Sequence, residues 1–80
     1  MENIEIYTIK GCPYCAKALE LLIRKGKKFK NIDITVNAKE MREKLAKKYN
    51  IKGLVTVPQI IIDGERIGGY SDLIKLAEFN

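Results

Sequence analysis

Eighty residues, 46% hydrophobic and 31% charged, make one globular domain over 1–80, too short for a second core and too apolar to stay disordered. The net charge of +5 comes from lysines and arginines spread along the chain, with no aromatic stripe between them, so it reads as a solvated basic surface and not as a nucleic-acid interface. A start without a basic-then-apolar leader, and no run near the ~20 apolar residues that span a bilayer, give the expectation of a cytoplasmic protein with no membrane partner.

Ile4-Glu5-Ile6-Tyr7-Thr8-Ile9 is rich in β-branched and aromatic residues and predicts a first strand, broken by Lys10-Gly11. A helix is expected from Cys12 or Pro13, because proline's missing N–H costs nothing in a first turn. Cys15, Ala18, Leu19, Leu22 and Ile23 fall on one face, with Lys17, Glu20 and Arg24 on the other. Lys25-Gly26 closes the helix. Phe29, Ile32 and Ile34 mark a second strand within 28–34, parallel to the first through a right-handed crossover. Asn37 with Glu40 has the pattern of a capping box, opening a helix whose apolar stripe is Met41, Leu45 and Tyr49.

Residues 50–57 connect, with Gly53 allowing a bend. Pro58 to Ile62 predicts a strand buried on both faces. Asp63-Gly64 is a two-residue hairpin signal, and Glu65-Arg66-Ile67 the returning strand. Gly68-Gly69 breaks it, and Ser71 or Asp72 caps a last helix with Leu73, Ile74, Leu76 and Ala77 facing inward. The order β-α-β-α-β-β-α defines an α/β fold. The hairpin brings Pro58 and Gly69 to one sheet edge. Whether Cys12 shares that edge depends on the direction of the third strand, although the connection, at about 3.3 Å per residue, is long enough to return the chain there.

Two cysteines and no histidine leave too few ligands for a closed zinc site, so no metal is expected on this chain alone. Cys-x-x-Cys beside a strand-helix-strand pattern points to redox chemistry. Cys12 begins the helix, where its sulfur meets unpaired N–H groups and the positive end of the macrodipole, with Lys10 and Lys17 near in sequence. It is the expected nucleophile. Cys15, three positions on and inside the helix, is the expected resolving thiol.

Cys12-Pro13-Tyr14-Cys15, Thr56-Val57-Pro58-Gln59 and Gly68-Gly69-Tyr70-Ser71-Asp72-Leu73 together make a chain that resembles the glutaredoxins over nearly its whole length. The resemblance implies a thioredoxin-like fold with a four-stranded mixed sheet flanked by helices, its third strand antiparallel to its first. It implies a dithiol–disulfide oxidoreductase acting on protein disulfides and glutathione mixed disulfides. Pro58 would be cis and face the sulfurs, with Lys10 and Pro13 supporting the same site. Val57 would pair by its backbone with glutathione or an extended peptide. Thr56 and Gly69 would shape the glutathione site and Tyr14 would wall it. The Ser71 N–H would take the γ-glutamyl carboxylate, and Asp72 the ammonium group.

Against the family pattern, Ile9 stands where a lysine is common, Leu54-Val55 where basic or amide side chains are common, and Tyr70 where smaller residues are frequent. Ser71 with Asp72 favours glutathione as the expected reductant, with no cofactor held permanently, while the apolar Ile9 side favours another donor. Alternatives are reduction by a thioredoxin reductase, as for redoxins that serve ribonucleotide reductase, or an iron–sulfur carrier bridging a dimer. The redox reading expects a monomer whose partners are disulfide-containing proteins.

Overall fold

Hydrophobic alternation in the strands and a single inner stripe on each long helix divide the core into two layers on either side of one sheet. The computed structural model describes residues 2–79. Its elements are β1 (Ile4–Thr8), α1 (Pro13–Arg24), β2 (Lys30–Asp33), α2 (Ala38–Tyr49), β3 (Gln59–Ile62), β4 (Glu65–Gly68) and a one-turn α3 (Tyr70–Leu73), followed by a 3₁₀ turn at Ala77–Phe79. The sheet order is β2-β1-β3-β4. β1 runs parallel to β2 and antiparallel to β3, and β3 antiparallel to β4. This is the thioredoxin-like arrangement, and the direction of β3 brings Pro58 and Gly69 to the Cys12 edge.

Ile4 and Ile6 from β1, Ala18, Leu21 and Leu22 from α1, Ile60, Leu73 and Phe79 fill one layer. Tyr7, Ile34, Leu45, Val55 and Ile61 fill the other. Ile60 and Ile61 thus point to opposite layers, as a strand covered on both faces requires. The Asp63-Gly64 hairpin has positive φ at both residues, 52° and 80°, the geometry a two-residue primed turn demands. Asp63 also clasps the start of β1, its carboxylate accepting from Asn3 N–H at 2.7 Å and its own N–H donating to Asn3 O at 2.8 Å. Among the described residues no helix is long and apolar enough to cross a membrane.

Four local expectations are corrected. On α1 the inner stripe takes Leu21, 7% exposed, while Ile23 is 66% exposed. The C-terminal turn packs against the Leu21 side of the helix, and Leu21 and Phe79 share one cluster. Asn37 precedes α2 but makes no side-chain cap, because its ψ of 40° lies outside the extended region from which a cap reaches the first turn. That turn is closed instead by Met41 N–H donating to Asn37 O at 3.0 Å. At α3 neither Ser71 nor Asp72 is the cap residue. Gly69 is, in an extended conformation, and Asp72 in the first turn reaches back to accept from Gly69 N–H at 3.0 Å. Gly68 must be glycine for this, since a Cβ there would collide with the Asp72 carboxylate and its φ is +120°. The last helix is also shorter than expected: Leu73 is buried but Ile74 lies at the surface, Leu76 is half-buried, and the Ala77 side chain lies outside the described residues.

Ile60 is fully buried at the centre of the sheet, paired with β1 at Ile6. Ile60→Ala is expected to cost about 2–5 kcal/mol by cavity formation, with an unchanged dependence on urea concentration. A loss below about 1 kcal/mol would mean that β3 does not anchor the core.

Candidate active site

β1 ends at Thr8, and Lys10-Gly11 turns the chain, Gly11 taking a φ of 76° that an L side chain rarely adopts. Pro13 then occupies the first helical position and Cys12 the N-cap, extended at φ −94° and ψ 111°. Cys12 takes the place of the usual capping serine or aspartate. Its sulfur accepts from Cys15 N–H at 3.1 Å, so a sulfur charge at this point meets a main-chain donor and the positive end of a twelve-residue helix. Across the gap, the protonated sulfur donates to Val57 O at 3.8 Å. The Val57–Pro58 peptide bond is cis. Both cysteines are free thiols, Cys12 half-exposed and Cys15 only 2% exposed. Burial pushes the Cys15 thiol up to about 12, reinforced by its hydrogen bond with Cys12 and by the charges of Cys12 and Asp33, against an opposing backbone hydrogen bond at Ile9.

Beside Cys12 runs a groove of about 410 Å³, lined by Tyr14, Thr56, Val57, Pro58, Gly69, Tyr70 and Ser71. Six residues expected around glutathione — Tyr14, Thr56, Val57, Pro58, Gly69 and Ser71 — therefore share one concavity. Asp72 is not part of its lining and is bonded to Gly69 N–H at the head of α3. Lys10 is exposed, and its N–H donates to Thr35 Oγ1 at 2.9 Å. Ile9 packs inward against the Tyr7–Leu45 layer and offers no cation to the groove. Gln59 is buried and braces the turn before the cis bond. Its Nε2 donates to Thr56 O at 2.8 Å, and its Oε1 accepts from Arg66 Nε at 3.1 Å.

A second groove, about 400 Å³, flanks the cysteines on another side and adds Thr8, Asn31 and Asp33 to the sulfur environment. Thr8 donates to Asn31 Oδ1 at 2.7 Å. Asp33 accepts from both the hydroxyl and the N–H of Thr35, which holds its carboxyl below the usual range. These three residues were not legible as site residues, since only strand pairing carries them to the cysteines and no motif marks them. Tyr70 was also missed as a lining residue. Its ring lies 6.2 Å from that of Tyr14, over which Lys17 Nζ sits at 5.2 Å. Among the described residues, no cluster of three or more His, Cys, Asp or Glu could hold a metal ion.

A helix-capping sulfur, a buried second thiol three residues on, and a cis proline facing them define a thioredoxin-like dithiol–disulfide oxidoreductase. Comparisons with known proteins make the assignment more specific. The family model "Glutaredoxin" matches residues 4–67. Glutaredoxin 3 of Escherichia coli (strain K12) is 47% identical over 76 residues, covering 95% of this chain and 87% of that protein. The solution structure of a Brucella melitensis glutaredoxin superposes with a TM-score of 0.73 at 40% identity, covering 92% of this chain and 76% of that one. Glutaredoxin 1 of Francisella tularensis, crystallised with cacodylate, gives 0.83 at 29% identity, covering 94% and 91%. The chain belongs to the glutaredoxin family of glutathione-dependent thiol–disulfide oxidoreductases, in its dithiol form.

The raised Cys15 value has a sign that can be checked. An unfolded thiol titrates near 8.5, so the reduced fold is favoured below about pH 8.5 and loses that contribution as pH climbs towards 12. In a Cys12→Ser protein, iodoacetamide should alkylate Cys15 slowly at pH 8, with a rate still rising beyond about pH 10. A rate that levels off near pH 8.5 would contradict the burial account.

Proposed function

We propose that Cys12 is the attacking sulfur and Cys15 the resolving one, in a monomer that reduces protein disulfides and glutathione mixed disulfides in the cytoplasm. The observation that carries this reading is the asymmetry of the pair: one sulfur capped by a main-chain N–H at the mouth of a groove, the other buried and protonated behind it. The Cys12 thiolate attacks one sulfur of a substrate disulfide. A Cys12–substrate disulfide forms and the other substrate sulfur leaves as a thiolate that takes up a proton. Cys15 then loses its proton and attacks the Cys12 sulfur. The second substrate thiolate departs and a Cys12–Cys15 disulfide remains, so two electrons have passed from the pair to the substrate. Two glutathione thiols restore it and leave as glutathione disulfide.

The groove beside Cys12 accommodates the glutathionyl moiety. The Val57 backbone, directly before the cis proline, pairs with its extended peptide. The Ser71 N–H, in the first turn of α3, takes its γ-glutamyl carboxylate, and the Asp72 oxygen not bonded to Gly69 faces the ammonium group. Tyr14 and Thr56 wall the two sides. Pro13 pre-forms the first turn that carries the nucleophile, and Lys10 supports it by tying the β1–α1 turn to Thr35.

One observation favours a second electron donor. Ile9 is packed inward and Leu54-Val55 precede Thr56, so the positions where the family commonly presents basic or amide side chains to the glycyl end of glutathione are apolar here. A flavin-containing thioredoxin reductase would not need that contact.

Cys12→Ser is expected to abolish reduction of both substrate types. Cys15→Ser should keep turnover of glutathione mixed disulfides, which needs one thiol, and lose reduction of an intramolecular protein disulfide. Residual activity in the Cys12→Ser protein would refute the assignment of the nucleophile. Consumption of NADPH with glutathione and glutathione reductase, set against thioredoxin reductase alone, identifies the donor. The glutathione reading expects the first system to be at least about tenfold faster, and the reverse order would establish the second reading.

A further inference from the structure

The groove beside Cys12 does not end at α3. Tyr70, which closes it, also lines a second concavity of about 560 Å³ between α1 and the C-terminal turn, together with Leu21, Arg24, Lys25, Ile74 and Phe79. Leu21 and Phe79 form an apolar floor that belongs to the core, and Ile74 is exposed at its edge. Arg24 brings a cation to the lining, and no carboxylate lines either groove among the described residues. Of the acids on the flanking elements, Asp72 is bonded to Gly69 N–H and Glu78 to Lys27 at 3.0 Å, while Glu20 meets Arg24 through Nη2 alone, at 3.2 Å in an exposed pair that leaves the other guanidinium N–H groups to a substrate. At the junction, Tyr14 is 58% exposed, with Lys17 over its ring and Tyr70 against it.

We propose that this α1–α3 groove is a docking site for protein substrates, and that it takes an extended segment next to the substrate cysteine in which an apolar side chain is followed by carboxylates. The proposal rests on the reading of Cys12 as the attacking sulfur. Continuity comes from Tyr70, which is common to both grooves, so a chain leaving the sulfur crosses the Tyr14–Tyr70 pair into the second concavity without leaving the surface. Reach is adequate. Tyr14 and Leu21 are seven residues apart on α1, about 10 Å along the axis, a distance an extended chain covers in about three residues. The Leu21–Phe79 floor would bury the apolar side chain, and Arg24 and Lys17 would face the carboxylates. A small glutathione mixed disulfide fills only the first groove and does not touch the second. Protein and small substrates are therefore separated by residues remote from the sulfurs.

The test uses two synthetic peptides, each closed by one intramolecular disulfide, one with Leu-Asp-Glu three residues beyond a cysteine and the other with Leu-Lys-Lys. The glutathione–cysteamine mixed disulfide serves as the small substrate. The wild-type protein should show the lower KM for the acidic peptide. Arg24→Glu should raise that KM about threefold, lower the KM for the basic peptide, and leave kcat and the small-substrate kinetics unchanged. Ile74→Asp should weaken the acidic peptide alone. Equal KM values for the two peptides in the wild-type protein, or an Arg24→Glu effect of the same size on the small substrate, overturns the docking proposal while the cysteine assignment stands. A Cys12→Ser protein that still reduces the small substrate overturns the cysteine reading and the docking proposal with it.

Discussion

The hydrogen bond from Cys15 N–H to the Cys12 sulfur is the contact on which the site depends. It exists because Cys12 is the N-cap of α1, which in turn requires the left-handed Gly11 to end the β1 turn and Pro13 to start the helix without an N–H to satisfy. A capping residue keeps its side chain outside the helix, and a residue three positions later points down the same face towards the core. The spacing that makes the bond possible therefore also makes the two sulfurs unequal. Cys12 reaches the surface, while Cys15 is held in a buried layer next to Ala18 and Leu22.

The rest of the fold brings a second wall to that sulfur. β3 is antiparallel to β1, so its start, and the cis bond before it, fall at the edge where β1 delivers the cysteines. β4 returns to the same edge and ends in Gly68-Gly69, whose conformations let Asp72 cap the last turn from within. Gln59 is an internal strut for this wall, spanning from the Thr56 carbonyl to Arg66 on β4. Elsewhere, Lys27 holds Glu2 and Glu78 at 2.8 and 3.0 Å and lies over Phe79, tying both ends of the chain to the end of α1. These are exposed ion pairs of modest worth, but they fix the turn that supplies the Phe79 floor of the α1–α3 groove.

The element order, the hairpin, the cysteine pair and the doubly covered third strand were all legible in the sequence, because each rests on local chemistry: β-branched runs, a proline in a first turn, Asp-Gly at a reversal. The direction of β3 was open from pattern alone, since an eight-residue connection permits either sense; the resemblance implied the antiparallel one and the structure has it. What escaped were features created by tertiary packing. Leu21 and Ile23 are both apolar and lie on either flank of the buried Leu22, and only the position of the C-terminal turn decides which is covered. Asn37 and Glu40 had the spacing of a capping box, but the backbone at Asn37 is rotated out of capping range. Asn31 and Asp33 carry no motif and reach the cysteines only through the pairing of β2 with β1. Tyr70 showed in the sequence only as an unusual residue, and its place between two grooves belongs to the fold.

The central claim is that the two sulfurs differ because one caps a helix and the other is buried within it. Brief exposure of the reduced wild-type protein to glutathione disulfide, followed by acid quenching and mapping of the glutathionylated peptide, tests it directly. The account predicts the mixed disulfide on Cys12, accumulating in the Cys15→Ser protein and fleeting when Cys15 is present. Glutathione found first on Cys15, or equally on both cysteines, would contradict it.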